Sequence, residues 1–237
     1  MRFIVSFLAL LAALPTAAQD RMLSGTKRAL THIIAHEIGH ALIREFDLPI
    51  LGNEEVMADT FATIALHEAT PNRIEEIILA RVAAWRAEND AEQLYAEHPS
   101  DARRAAQAMC LLYGLDPDRF EPAARADGMT GEEAADCRDR VPEIARAWRR
   151  IVAPLRMPEG SRVTEVRVIV GEGPWEQALR RSRLPDTMED LLAAFDWHSQ
   201  ITLHFDHCEG GASWSRNSRT ILVCDDLIER LEGLSTP

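Results

Sequence analysis

The stretch "HIIAHEIGHALI", residues 32–43, constrains the fold more than any other part of the chain. Apolar residues recur around it at helical spacing over residues 23–46. The run stops at "DLP", because the residue before a proline avoids helical backbone angles. On that helix His36 and His40 stand four positions apart, which puts both on one face, a turn from each other. Two imidazoles so placed can present nitrogens to one cation. Glu37 directly follows His36, so its carboxylate projects beside such an ion, where it can take a proton from a water that the ion holds. Gly39 keeps the neighbouring helix surface slim enough for another backbone to approach.

A catalytic zinc site takes three protein ligands and leaves a position for water. The third is expected from the next helix, which begins near Glu54 after the short connection of residues 47–53. Glu55 and Asp59 are again four apart, so both can face the first helix. Glu55 is expected as the third ligand. Asp59 is expected to accept a hydrogen bond from the non-ligating nitrogen of His36 or His40, fixing that ring's tautomer and orientation. Glu54 is the rival third ligand, though nothing at Ala58 supports it, and an exchange of roles between Glu55 and Asp59 is a further alternative. His32 is expected on the rim or helix surface, His67 at the surface or in the core, and His98, before Pro99, in a loop. An oxyanion needs one more donor, with His198, His204, His207 and Tyr113 as candidates.

The remaining sequence reads as helix over residues 21–156 and as strand-containing over residues 157–237. Thr70 is expected to cap a third helix with Pro71 at its first position, and Gly114 to stop a fourth. Thr130 and Glu133 have capping-box spacing ahead of "TGEEAADC", and "PEIARAWRRIVAPL" closes the helical part. "SRVTEVRVIVG" and "QITLHFD" read as strands, with a helix capped by Asp186 between them. "CEGGASWSRNSRTILVC" reads as a hairpin, and a terminal helix follows from Asp225. The expectation is an α+β fold in which a mainly helical metal core precedes a small C-terminal sheet, all in one domain over residues 19–237.

Residues 1–18 carry Arg2, an apolar run and small residues up to Ala18, the layout of a cleaved secretory signal peptide. A periplasmic or secreted location follows, without stable membrane insertion, since the run is too short to span a bilayer. Four cysteines in no Cys-x-x-Cys pair suit disulfides in an oxidising compartment; of the three pairings they allow, the sequence-local one, Cys110 with Cys137 and Cys208 with Cys224, is expected. With 38 acidic against 26 basic residues the formal charge is −12, which repels nucleic acid and anionic lipid.

His36-Glu37-x-x-His40 followed by Glu55-Val-Met-Ala-Asp59 resembles the gluzincin arrangement of zinc metallopeptidases. More closely, "HEIGHALI", "LPILGNEEVMADTFA", "LYGLDPDRF" and "AWRRIVAPL" together resemble a family of bacterial exported metallopeptidase-like proteins whose substrate is unknown; the similarity covers residues 32–155. The resemblance implies a zinc-dependent endopeptidase acting on a peptide or protein, with zinc on His36, His40 and Glu55 and with Glu37 as general base. In zincin-like folds a sheet whose edge strand pairs with the bound peptide normally precedes the metal helix. Too few residues precede His32 for that sheet. The cysteine-bracketed hairpin resembles a segment that precedes the metal helix in related proteins. The C-terminal strands are therefore expected to take the missing place, as in a circular permutation, with the hairpin beside His36 and His40. The alternative function is a zinc-binding scaffold or interaction protein without hydrolytic activity.

Overall fold

Helix α1 (Ser24–Glu45) has no single apolar face, its apolar residues falling all round it between the histidines, and a helix of that kind is expected to lie inside the molecule. In the computed structural model, which describes residues 21–158, 161 and 165–235, it does. Leu30, Ile34, Ile38 and Leu42 repeat every fourth residue and are completely buried, as are Ala35 and Ala41 off that line. Each of the four large side chains contributes about 1.5–3 kcal/mol through removal from water. Around α1 pack α2 (Glu54–Ala69), α3 (Ile74–Glu88), α8 (Leu184–Leu192), α9 (Asp225–Ser235) and strands of the sheet. Helices α4 (Asp101–Leu115), α5 (Pro117–Ala126) and α6 (Gly131–Val152) form a second layer against α2 and α3. The expected signal peptide lies outside the described residues. Among the described residues no helix is long and apolar enough to cross a membrane.

The sheet has strand order β1 (Val166–Val170), β2 (Ile201–Asp206), β4 (Thr220–Cys224), β3 (Ala212–Ser215). The first three are parallel, and β3 runs antiparallel to β4 at the edge. Parallel neighbours need a crossover, supplied between β1 and β2 by α7 (Glu176–Ser182) and α8. Ile201, Leu203 and Phe205 alternate into the same core that holds α1. The architecture is mainly helical α+β, with the small sheet at the C-terminal end of the chain.

The hairpin β3–β4 lies against α1. Cys224 N–H donates to Gly211 C=O at 2.8 Å, so Gly211, Ser213 and Ser215 pair with β4 while Ala212 and Trp214 turn their backbone groups outward. Both expected disulfides are present, Cys110–Cys137 tying α4 to α6 and Cys208–Cys224 closing the base of the hairpin.

Several local expectations are corrected by packing. Thr70 does not cap α3: its hydroxyl donates to Leu66 C=O at 2.8 Å and closes α2, so α3 starts only at Ile74. Gly114 does not stop α4 but lies within it, where a Cβ would meet Cys137 C=O and Val141 Cβ at 2.5 Å; it is glycine because α6 crosses there. The two segments read around Pro142 are one helix, held by the buried row Cys137, Val141, Ala145, Trp148 and Val152. That helix does open with the Thr130–Glu133 capping box. Helix α8 starts at Leu184, and Asp186, expected as its cap, sits inside it and pairs with Arg183. Helix α7 was not anticipated, and α5 lies within the region expected to be helical without having been delimited there; it is announced by Asp116, whose carboxylate caps Arg119 N–H, and Pro117 at the first position.

Candidate metal centre

Gly39 sets the geometry of the site. A Cβ there would stand 3.1 Å from Ala58 Cα and 3.1 Å from Phe61 Cδ1, so its absence lets α2 approach α1 closely. Asn53 caps α2 through a hydrogen bond from Val56 N–H at 3.0 Å. With α2 started at that point, Glu54, Glu55 and Asp59 arrive opposite the histidines.

The two imidazoles point Nε2 at each other across 3.0 Å. Glu55 Oε2 completes a triangle, 3.2 Å from His36 Nε2 and 3.4 Å from His40 Nε2. His36, His40 and Glu55 are all buried, and among the described residues they form the one group of histidine, cysteine and acidic side chains able to hold a metal ion together. The other ring nitrogens are committed outward. His36 Nδ1 lies 2.8 Å from Asp59 Oδ1 and His40 Nδ1 lies 2.7 Å from Glu54 Oε1. With Nδ1–H donating to each carboxylate, both rings turn an Nε2 lone pair inward.

This arrangement fits a cation. Tetrahedral zinc with bonds near 2.0–2.1 Å separates its donors by about 3.3 Å, which matches all three sides of the triangle. Glu55 Oε2 is buried beside three imidazole nitrogens without an aligned hydrogen bond to any of them. Three lone pairs facing inward repel unless something positive sits among them. A proton can play that part. Burial pulls His36 down, but the hydrogen bond to Asp59 and the nearby Glu55 carboxylate outweigh it and raise the imidazole to about 9. Burial likewise opposes ionisation of Glu55, yet its contacts with His36, His40 and His98 hold it far below the usual carboxylate range.

Outer partners make the cluster rigid. Asp59 accepts from Arg104 Nε at 2.8 Å and from Nη2 at 2.9 Å, a bidentate pair that fixes the carboxylate facing His36. Burial works against the Asp59 anion, but His36 and Arg104 keep it far below its ordinary range. Glu54 accepts from Arg44 Nε at 2.7 Å while holding His40. The rival third ligand is therefore placed behind a histidine, and Asp59 is placed behind His36 only.

Glu37 is 7 % exposed and stands beside the triangle rather than in it. The outward N–H of Trp214 lies near enough to favour its anion, and edge strand β3 packs against the metal helix as the hairpin resemblance implied. Burial raises the Glu37 carboxyl above its ordinary value, against the pull of His36 and His40. A cavity of about 220 Å³ opens here, lined by His32, His36, Glu37, His98 and residues 210–212 among others.

One histidine differs from its expected setting, and a second reaches the site from the setting expected of it. His32 is not on the rim: it is 1 % exposed, its Nε2 3.3 Å from Thr63 Oγ1, its ring edge against Trp85, and burial pushes it down to about 3. His98 is in a loop as expected, but its Nε2 lies 2.8 Å from Glu55 Oε2. No spacing could have shown that, because residue 98 reaches the site only through the fold of residues 89–100. His198, His204, His207 and Tyr113 do not line the cavity; His198 packs on Phe46, and His207 pairs with Asp225.

The model of a family described as "putative metallopeptidase" matches residues 3–152, well over half of the chain. The chain belongs to this family. The matched span includes every residue of the metal triangle, and the outer partners Glu54, Asp59 and Arg104 with it. The match to the family model ends with α6, so the sheet and β3 lie beyond the matched span. No curated protein and no solved structure matches the chain.

Proposed function

We propose that the protein is an exported, zinc-dependent metallopeptidase. The observation that carries this reading is the buried triangle of two Nε2 atoms and one carboxylate oxygen, its outer sides clamped by Asp59 and Glu54, with a further buried carboxylate, Glu37, directly beside it. A purely structural metal has no use for that last group. Zinc bound there supplies a Lewis acid for the scissile carbonyl and brings water near pKa ~7. His36, His40 and Glu55 hold the ion. Glu37 takes the proton of the attacking water and passes it to the leaving amine, a role suited to a carboxyl raised by burial. Asp59 and Glu54 keep the two imidazoles in one tautomer, and Arg104 and Arg44 keep those carboxylates in place. His98, against Glu55 at the mouth, steadies the ligand carboxylate. The outward backbone of β3 at Ala212 offers an extended peptide a strand edge beside Glu37. Two disulfides and the apolar leader support export to an oxidising compartment.

The test uses purified protein, zinc analysis and a mixed peptide library, with and without a chelator. Glu37→Gln keeps stoichiometric zinc and loses cleavage by about 10²-fold or more. His36→Ala loses the metal itself. Peptide cleavage undiminished in Glu37→Gln refutes the mechanism, whereas tight zinc with no cleavage of any peptide favours a scaffold.

A further inference from the structure

The cavity beside Glu37 continues into a larger one of about 660 Å³, and the two share Arg81, Glu88, His98, Arg104 and Arg230. Arginine on three different helices converges on this junction, in a chain whose formal charge is −12. Arg104 is neutralised by its bidentate bond to Asp59. Arg81 and Arg230 are different: both lean on the single carboxylate of Glu88, each at 3.2 Å. One positive charge is left over. The acidic groups Asp90 and Asp101 line only the larger cavity, and Asp101 is turned to the backbone N–H of Asp90 at 2.8 Å. The inner cavity has an acidic group of its own, Glu37, but among the described residues it bonds to neither of these two arginines.

Arg81 is built into place. Its side chain is 8 % exposed, and its guanidinium lies 4.1 Å from the centre of the Trp85 ring, which also carries Arg104 at 4.8 Å. Burying a guanidinium is costly unless its donors are used, and a stacked, planar fork is the geometry that takes a carboxylate in two parallel bonds. Yet the bond to Glu88 is the one hydrogen bond found for Arg81 among the described residues, and its Nε is buried with no partner.

We propose that this junction is a subsite for one carboxylate of the substrate, held by Arg81 and Arg230; the proposal rests on the peptidase reading above. The carboxylate is either an Asp or Glu side chain or the C-terminal carboxylate of a short peptide. Arg104 ties the junction to the triangle: it bonds Asp59, which holds His36, and it shares the Trp85 ring with Arg81. The acidic group thus belongs near the bond that is cut.

Matched peptides separate the two sources: Asp or Glu against Asn or Gln near the cleaved bond, and free against amidated C-termini. Binding to zinc-free protein is measured by calorimetry, and cleavage is measured on the zinc-loaded protein. One of the two acidic series binds and is cleaved about tenfold better than its neutral isostere, the size expected for a charge-assisted pair. Arg81→Gln brings that ratio close to one; because Arg81 is buried against Trp85, the half-exposed Arg230→Gln is the second variant and lowers the ratio in the same direction. Equal binding of acidic and neutral peptides overturns the subsite, and if cleavage persists the peptidase reading stands without it. Acid-selective binding, lost in Arg230→Gln, with no cleavage of any peptide keeps the subsite and overturns the peptidase reading.

Discussion

Replacing Gly39 by alanine tests directly how the metal triangle is assembled. The added Cβ would lie 3.1 Å from Ala58 Cα and 3.3 Å from Ala58 Cβ, tighter than ordinary contact. Backbone cannot swing aside as a flexible side-chain end can, so α1 and α2 must part by a few tenths of an ångström. Two energies oppose each other. Alanine favours the helix by about 0.8–1.0 kcal/mol over glycine, whereas overpacking costs about 1–3 kcal/mol. The net destabilisation is about 0–2 kcal/mol, which lowers the melting temperature by up to about 8 °C in a chain of this size. The metal is the more sensitive reporter. Glu55 and Asp59 flank Ala58 on α2, and metal–ligand distances tolerate only about 0.2 Å. Zinc affinity should fall by about tenfold or more, comparable with losing an outer hydrogen bond to a ligand. Competition with a chromophoric chelator gives the affinity, and thermal melts of zinc-free protein give the stability. If Gly39→Ala melts higher than the parent and binds zinc equally well, the close approach of α2 is not what positions Glu55.

Three further outcomes follow from the same geometry. Asp59→Asn should weaken zinc by about 10–100-fold, and because it leaves the largely buried Arg104 without its carboxylate, it should cost up to about 3–5 kcal/mol in denaturant unfolding. In zinc-free protein His36, raised to about 9, contributes stability that is fully present below its unfolded value near 6.5 and is lost as pH rises through 9. Melts of chelated protein should thus decline across that window, while zinc, which displaces the same proton, binds more tightly as pH rises; a flat zinc-free profile would contradict the proton-sharing triangle. Reduction of Cys208–Cys224 opens a loop with sequence separation 16 and should cost about 3 kcal/mol, read as a lower urea midpoint in the Cys208→Ser, Cys224→Ser double variant.

Much of the site was readable because it is local. A helix holds residues four apart on one face whatever surrounds it, so the pairing of His36 with His40, and of Glu55 with Asp59, needed only the 3.6-residue period. The capping box at Thr130 and the cysteine pairs are local in the same way. Where two local signals competed, the reading slipped. Thr70 could have capped α3 but closes α2, and Gly114 reads as a helix stop until α6 is seen lying across it.

What remained lay between distant parts of the chain. Arg104 meets Asp59 across a sequence separation of 45, and Trp214 meets Glu37 from the far end of the chain. His98 reaches Glu55 from a loop with no periodicity to announce it. The amino-acid sequence by itself determined which donors share a helix face, because backbone geometry decides that within one turn. Only the tertiary structure decided that Glu54 supports His40 while Glu55 turns inward, since adjacent positions on one helix differ by the direction in which packing rotates them.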